Sequence, residues 1–131
     1  MSIRSTVEDI GGETSLRTLV ERFYDIIESD PASAHLLALR LRGHGMAHAR
    51  TEQFDFLCGF LGGRRYYAER HGHMDVREVH AHVPIRSEDA DQWLACLDKA
   101  MRDCNMVGEA ADHMRAALGR VALVLVNVES E

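Results

Sequence analysis

Apolar side chains that recur every three or four residues constrain this chain more than any other feature of its sequence. The first such stripe consists of Leu16, Leu19, Val20, Phe23, Tyr24 and Ile27. Because this spacing places all of them on one face of a helix, it predicts a helix from about Glu13 to Ser29. The helix should bury that face, including the phenol ring of Tyr24.

Three further stripes predict helices later in the chain. A helix at about residues 46–61 would turn inward Met46, Ala49, Gln53, Phe56, Leu57 and Phe60. A long helix capped by Ser87 would bury Ala90, Trp93, Leu94, Leu97, Ala100, Met101 and Cys104. A last helix beyond Gly108 carries Ala110, His113, Met114, Ala117, Leu118, Val121, Leu125 and Val128. No strand pattern competes, so the chain is predicted to be all-α.

Turn-forming residues separate these helices. Residues 5–8 resemble a capping box, and Gly11-Gly12 should end that first helix after one or two turns. Asp30 and Pro31 are typical of a helix start, here of a short helix to about Leu41. Residues 64–73 have no apolar period and are predicted to form an extended loop. Asp75 should then cap a very short helix at about residues 76–81.

Composition limits the kind of protein this can be. The 131 residues are 46% hydrophobic and 27% charged, which fits one folded domain spanning residues 1–131. The net charge of -6 argues against nucleic-acid and membrane-surface partners. Three cysteines in no dense pattern favour a reducing compartment, and the cytoplasm is the predicted location.

Three polar or aromatic side chains interrupt the inward faces of three different helices: Tyr24, Gln53 and Trp93. A buried hydroxyl or carboxamide without a partner costs about 1 to 3 kcal/mol. Each of the three could have a local partner, and a tryptophan at helical spacing is usually core packing. A polar ligand bound near the centre would satisfy all three together.

The eight histidines raise the question of a metal site. Residues 71–73 and 80–82 are both His-x-His, but no Cys-x-x-Cys or His-Glu-x-x-His spacing accompanies them, which disfavours zinc. On the residues alone, His80 is more often a structural histidine than a ligand.

A series of motifs changes that weighting. In order they are Gly11-Gly12, ERFYD at 21–25, FLCGFLGG at 56–63, YAERHGH at 67–73, HAHVPI at 80–85 and DQWLAC at 91–96. This series resembles the successive motifs of the bacterial group II truncated haemoglobins, and it covers nearly the whole chain. The resemblance implies a single truncated-globin domain, a two-over-two helical sandwich around haem b (iron protoporphyrin IX).

The resemblance also implies roles for single residues. His80 matches the proximal ligand of the iron, while Tyr24 and Trp93 match the distal donors to a bound ligand. Ala49 falls at the gate to the distal side and is too small to block it. Gln53 lies one turn later, where group II relatives more often have an apolar residue.

Further haem contacts are expected from Tyr67, Arg77, Phe56 and Phe54. Val79 stands where relatives usually have a propionate-pairing arginine, and Arg77, Tyr67, Arg64 or His73 could replace it. The residue beside the distal tyrosine is Arg40, Leu41 or His44. An internal sixth ligand from His44 or His48 is the less favoured alternative, since His48 points about 100° away from Ala49.

The implied function is reversible binding of O₂, NO or CO, for storage, sensing or scavenging rather than rapid transport. The alternative is an enzyme on the same pocket, an NO dioxygenase or a peroxidase-like protein that needs an external reductase. A haem-free helical interaction module is the third and least favoured class. The protein is expected to be a monomer or a weak homodimer.

Overall fold

The fold is a stack of two helix pairs. A computed structural model describes residues 6–34, 46–73 and 85–126. Within them the α-helices are α1 (Thr6–Asp9), α2 (Glu13–Ser29), α3 (Met46–Phe60), α4 (Tyr66–His71), α5 (Ser87–Asp103) and α6 (Glu109–Leu125). A 3-10 helix, Pro31–Ser33, follows α2. The described residues contain no strand, which agrees with the predicted all-α class.

Helix α2 lies at the centre of this arrangement. It packs against both α3 and α5, and α5 packs in turn against α6. One face of α2 buries Leu16, Leu19, Val20, Phe23, Tyr24, Ile26 and Ile27. Burying a large apolar side chain stabilises a fold by about 1.5–3 kcal/mol, so this helix contributes a large share of the core. Its two ends and its inward face agree with the prediction.

The boundaries of α2 follow from its flanking residues. Gly11 and Gly12 have φ angles of 111° and 89°, in the region that favours glycine, and they separate α1 from α2. At the other end the Asp30 carboxylate accepts a hydrogen bond of 3.0 Å from the Ala32 N–H. Asp30 is the N-cap and Pro31 the first residue of a 3-10 helix, so the predicted helix start is confirmed. The predicted continuation to Leu41 lies outside the described residues.

The predicted loop at residues 64–73 is wrong, because Tyr66–His71 forms helix α4. Tyr67 is buried, and Gly72 ends the helix with a left-handed conformation. Contacts with distant residues hold it: the Tyr66 hydroxyl donates to Glu13 at 2.9 Å, and Arg70 pairs with Glu52 at 2.7 Å. Such contacts outweigh a local sequence that has no helical period.

The inward faces of the later helices were predicted with mixed success. On α3, Ala49 packs against the core and Leu57 is buried, but Phe60 is 36% exposed. The α3 residues buried instead include Phe54 and Cys58. Apolar residues lie on more than one face of α3, so their spacing alone does not fix its orientation.

Two further expectations about α5 and α6 need correction. Helix α5 begins at Ser87 itself and is capped by Arg86, whose backbone N–H donates to Asp89 at 2.9 Å. On α6, His113 is exposed, and the buried residues are Ala111, Met114, Leu118 and Ala122. The buried face is therefore rotated by about one residue from the predicted one. The predicted cap at residues 5–8, the short helix at 76–81 and Val128 lie wholly or partly outside the described residues.

The three cysteines are free, with Cys58 and Cys96 buried and Cys104 half-buried. Burial raises the pKa of the Cys58 thiol above its ordinary value, which keeps it protonated and inert. Their predicted packing role agrees with this burial. Among the described helices, none has both the length and the apolar character that crossing a bilayer requires.

Replacing Gly63 by alanine should destabilise the fold. A Cβ atom there would lie 2.9 Å from the Cys58 sulfur and 3.2 Å from a Val7 methyl group, where α1 meets the end of α3. We expect a loss of about 1–3 kcal/mol in the free energy of unfolding, as for other overpacked sites. Urea denaturation of the haem-loaded protein measures it.

The matched control is Gly119→Ala in the middle of α6. Its new methyl group would approach only the end of the flexible Arg115 side chain, at 3.1 Å. Alanine is the better helix former by about 1 kcal/mol, so this variant should be neutral or more stable. Equal losses in the two variants would contradict the steric explanation.

Candidate functional site

The Tyr24 hydroxyl lies at the interface of α2 and α3. Tyr24 is 1% exposed, and its hydroxyl donates to Oε1 of Gln53 at 3.3 Å. The prediction that this phenol needs a partner inside the protein is confirmed, and the partner is the glutamine singled out with it. The distance is long for an O–H···O bond, which is usually 2.5–3.0 Å, so the bond is weak. Tyr24 and Gln53, two of the three side chains that interrupt the apolar inward faces, thus partly satisfy each other's hydrogen-bonding groups.

Trp93 reaches this region from α5 through Phe23. The Phe23 and Trp93 ring centroids are 5.2 Å apart at 60°, and the Phe23 and Tyr24 centroids are 5.2 Å apart at 89°. Edge-to-face pairs of this kind contribute about 0.5–1.5 kcal/mol beyond their buried area. Phe23 therefore fixes both the indole and the phenol, a role that sequence reasoning missed because Phe23 counted only as a core residue.

Ala49 and Gln53 share one face of α3. Ala49 lies one helical turn before Gln53 and packs against the same apolar core. A methyl side chain leaves room on that face, and the role of Ala49 as the gate residue stays a prediction.

The expected haem contacts divide into two groups. Phe56 packs its ring edge against Tyr67 at 5.4 Å and stacks with Phe60 at 6.3 Å. Phe54 packs elsewhere, 4.0 Å below the Arg17 guanidinium and 6.2 Å from the Tyr66 ring. Residues two apart on a helix point about 200° apart, so the two phenylalanines face different parts of the molecule. Phe56, three residues after Gln53, shares the face of that glutamine.

Several expected site residues lie outside the described residues. These are His80, Arg77, Val79, Arg40, Leu41 and His44, together with the side chain of His48. Of the proposed propionate partners that the structure describes, Arg64 forms two hydrogen bonds of 3.0 Å to Glu69. Tyr67 lies 4.3 Å from the His71 ring and 6.4 Å from the His73 ring, between centroids.

A charged cluster joins α3 to α4 next to Tyr67. Arg70 contacts both Asp55 and Glu52, and the His71 ring lies 3.0 Å from Glu52. Burial raises the pKa of Asp55 above its ordinary value and Glu52 raises it further, while Arg70 opposes the shift without cancelling it. The cluster therefore holds an aspartate that is costly to ionise.

Comparison with known proteins assigns this arrangement to a family. The profile of the bacterial-like globins matches residues 5–127. The group 2 truncated hemoglobin YjbI of Bacillus subtilis (strain 168) is 34% identical over 116 residues, which are 88% of this chain and 84% of that protein.

Solved structures agree. The group II truncated hemoglobin from Bacillus anthracis superposes with a TM-score of 0.88 at 29% identity, covering 100% of this chain and 97% of that one. The truncated oxygen-avid haemoglobin from Bacillus subtilis gives a TM-score of 0.83 at 32% identity, with 95% of this chain and 100% of that one covered.

These matches define the class of protein as a bacterial-like globin, a helical protein that binds small ligands at haem. Within that class, the chain belongs to the group II truncated haemoglobins. Haem b is its cofactor, as the resemblance implied. The described residues are suited to binding haem. Helix α3 offers the apolar Phe56 and Phe60 rings, and the α2–α3 interface offers hydrogen-bonding groups.

Asp55 predicts a pH dependence of stability. Its folded-state pKa is raised above the unfolded value of about 3.9, so its contribution to stability is full below that value and is lost as pH rises through the folded pKa. Asp55→Asn cannot ionise and should escape this loss. Urea unfolding between about pH 4 and pH 7 should show the variant gaining on the wild type as pH rises. A constant difference across that range would contradict the raised pKa.

Proposed function

We propose that this protein binds O₂ and releases it slowly, and that its function is the storage, sensing or scavenging of such ligands. The observation that carries the proposal is the weak Tyr24–Gln53 hydrogen bond at a buried helix interface. Haem b supplies the iron at which O₂, NO or CO binds, with His80 as the proximal ligand.

Tyr24 is the first donor to the bound ligand. O₂ acquires partial negative charge when it binds, so a hydrogen-bond donor beside it slows its release. At 3.3 Å the bond to Gln53 is long, so replacing it with a shorter bond to a ligand would lose little stability. The buried position also strengthens any bond that forms there, since little water competes for it.

Gln53 and Trp93 extend the set of donors. Because Oε1 of Gln53 accepts from Tyr24, the amide N–H groups of Gln53 form the end that donates. The indole N–H of Trp93 is a third donor, and the contact with Phe23 orients its ring. We place Ala49 at the entrance to this side, and Phe56 and Tyr67 against the porphyrin. Phe54 is the weakest of the expected haem contacts because it faces Arg17 and Tyr66.

The similarity to a relative described as oxygen-avid supports slow release. An enzymatic role, NO dioxygenation or peroxidation, would use the same residues and an external reductase. The cytoplasmic location and the monomeric or weakly dimeric state stay predictions.

The O₂ dissociation rate, measured beside NO consumption with a chemical reductant, separates ligand binding from enzymatic turnover. Slow release with negligible turnover supports the binding function, and rapid turnover supports the enzyme.

Replacing either donor by phenylalanine should speed O₂ release. We expect Tyr24→Phe and Trp93→Phe each to raise the dissociation rate about tenfold or more, because a hydrogen bond to a charged acceptor contributes about 1.5–3 kcal/mol. Stopped-flow displacement of O₂ by CO measures the rate.

Tyr66→Phe is the matched control, since the Tyr66 hydroxyl binds the Glu13 carboxylate at the exposed side of the helix stack. It should release O₂ at the wild-type rate. Unchanged rates in both the Tyr24 and Trp93 variants would refute the donor roles.

The proximal assignment has its own test. His80→Gly removes the proposed iron ligand, so the Soret band of the reconstituted protein should be lost or shifted after desalting. Added imidazole should restore it by replacing the missing ring. A variant with the wild-type spectrum would show that another residue binds the iron.

A further inference from the structure

Arg50 joins α3 to α2 beside the proposed distal residues. It lies on α3 three residues before Gln53, and its side chain is only 15% exposed. One terminal nitrogen donates to the Glu21 backbone carbonyl at 3.0 Å and to the Glu21 carboxylate at 3.1 Å. The other donates to Asp25 at 2.9 Å and to Glu28 at 3.1 Å. Every one of these partners belongs to α2.

The partners of Arg50 flank Tyr24 along the sequence of α2. Glu21, Asp25 and Glu28 are spaced four and three residues apart, so they form one stripe along α2, and Tyr24 lies within its span. The guanidinium carbon of Arg50 also lies 5.8 Å from the centroid of the Tyr24 ring. This distance is within the range of a cation–π contact. Arg50 therefore contacts both the backbone of α2 and the ring whose hydroxyl faces Gln53.

The geometry depends on the shape of the guanidinium as well as on its charge. Burial lowers the pKa of Arg50, but the hydrogen bond to Asp25 and the charges of Glu28 and Glu21 outweigh it and raise that pKa above its ordinary value. Arg50 stays protonated, and its planar fork directs donors to several acceptors at once. A lysine ammonium has the same charge but cannot reproduce that fork.

The hydrogen bond between Tyr24 and Gln53 tolerates little relative movement of α2 and α3. At 3.3 Å, the Tyr24–Gln53 contact is already near the limit of a useful hydrogen bond. A shift of α2 along α3 by a few tenths of an ångström would break it and would move the phenol relative to a bound ligand. Arg50 lies one helical turn from Gln53, and its hydrogen bonds to three residues of α2 oppose such a shift.

We propose that Arg50 is a positioning residue that sets the Tyr24 hydroxyl relative to Gln53 and so determines how strongly Tyr24 hydrogen-bonds the bound ligand. The proposal rests on the proposed function of Tyr24. It goes beyond that function by assigning control of the distal hydrogen bond to an ion-pair cluster at the protein surface.

The experiment compares Arg50→Met with Arg50→Lys and with a control, Arg22→Met. Arg22 lies on α2 and, like Arg50, forms an ion pair between helices, at 2.8 Å, but its partner is Asp103 at the end of α5. Each variant is studied loaded with haem, by the O₂ dissociation rate and by the C–O stretching frequency of the CO complex. That frequency responds to hydrogen-bond donors near the ligand and does not depend on turnover.

We expect Arg50→Met to raise the O₂ dissociation rate about threefold to tenfold, the range for weakening one hydrogen bond, and to shift the C–O band. Arg50→Lys should restore the rate only in part, and Arg22→Met should match the wild type in both measurements. A wild-type rate and band in Arg50→Met would overturn the proposal.

A double variant separates positioning from general loosening of the fold. If Arg50 acts through Tyr24, Arg50→Met combined with Tyr24→Phe should release O₂ as fast as Tyr24→Phe alone, since the donor is already gone. Additive effects would mean that Arg50 acts on the whole fold, and would also overturn the proposal.

The same variants separate the positioning role of Arg50 from the donor role of Tyr24. An unchanged rate in Tyr24→Phe would refute the proposed function itself, whereas a fast Tyr24→Phe beside an unchanged Arg50→Met would refute only the role of Arg50. If Arg50→Met fails to take up haem, Asp25→Ala with Glu28→Ala removes both acceptors of one terminal nitrogen while keeping Arg50. That variant should then show the faster release, and a wild-type rate in it would count against the proposal.

Discussion

The contact between α2 and α3 is the constraint on which both the core and the proposed site depend. The face of α2 that buries Leu16, Leu19 and Ile27 also carries Tyr24, so the position of the phenol is fixed by the same packing that holds the helix in place. Because α2 also packs against α5, it sets the distance from Tyr24 to Trp93 through the Phe23 ring between them. A displacement of α2 would therefore disturb the core and the proposed distal donors together.

The hydrogen bond between Tyr24 and Gln53 is longer than is usual for a buried hydroxyl. A buried hydroxyl gains most stability from a short, well-directed bond, yet Tyr24 and Gln53 are 3.3 Å apart. A short bond to Gln53 would lose much stability if a ligand replaced it, whereas a long bond would lose little. The ion pairs of Arg50 with α2 limit how far the two helices can separate. These ion pairs, and not the long hydrogen bond itself, keep Tyr24 and Gln53 close together.

The sequence predicted those parts of the structure that follow from local periodicity and turn chemistry. Helix α2 agrees at both ends because one clear apolar stripe lies between Gly11-Gly12 and Asp30. Helix α4 was missed because its stability comes from contacts such as Tyr66 with Glu13, which no local pattern encodes. Arg50 was missed because a charged residue on an amphipathic helix usually faces solvent; the acidic stripe at Glu21, Asp25 and Glu28 was the signal that could have indicated a cationic partner. The contact of Tyr24 with Gln53 was within reach, since both residues were already assigned to inward faces.

In the proposed site, Gln53 favours a polar ligand more than an apolar residue at the same place would. Bound O₂ is polar and rewards hydrogen-bond donors, while bound CO carries much less charge and gains less from them. An apolar side chain at position 53 would leave Tyr24 and Trp93 as the donors and would leave the Tyr24 hydroxyl without the acceptor it now has. With glutamine there, the oxygen of the carboxamide holds the phenol in place when no ligand competes, and its N–H groups add a further donor. In the proposed site, the same residue therefore satisfies a buried hydroxyl and adds a donor for a polar ligand.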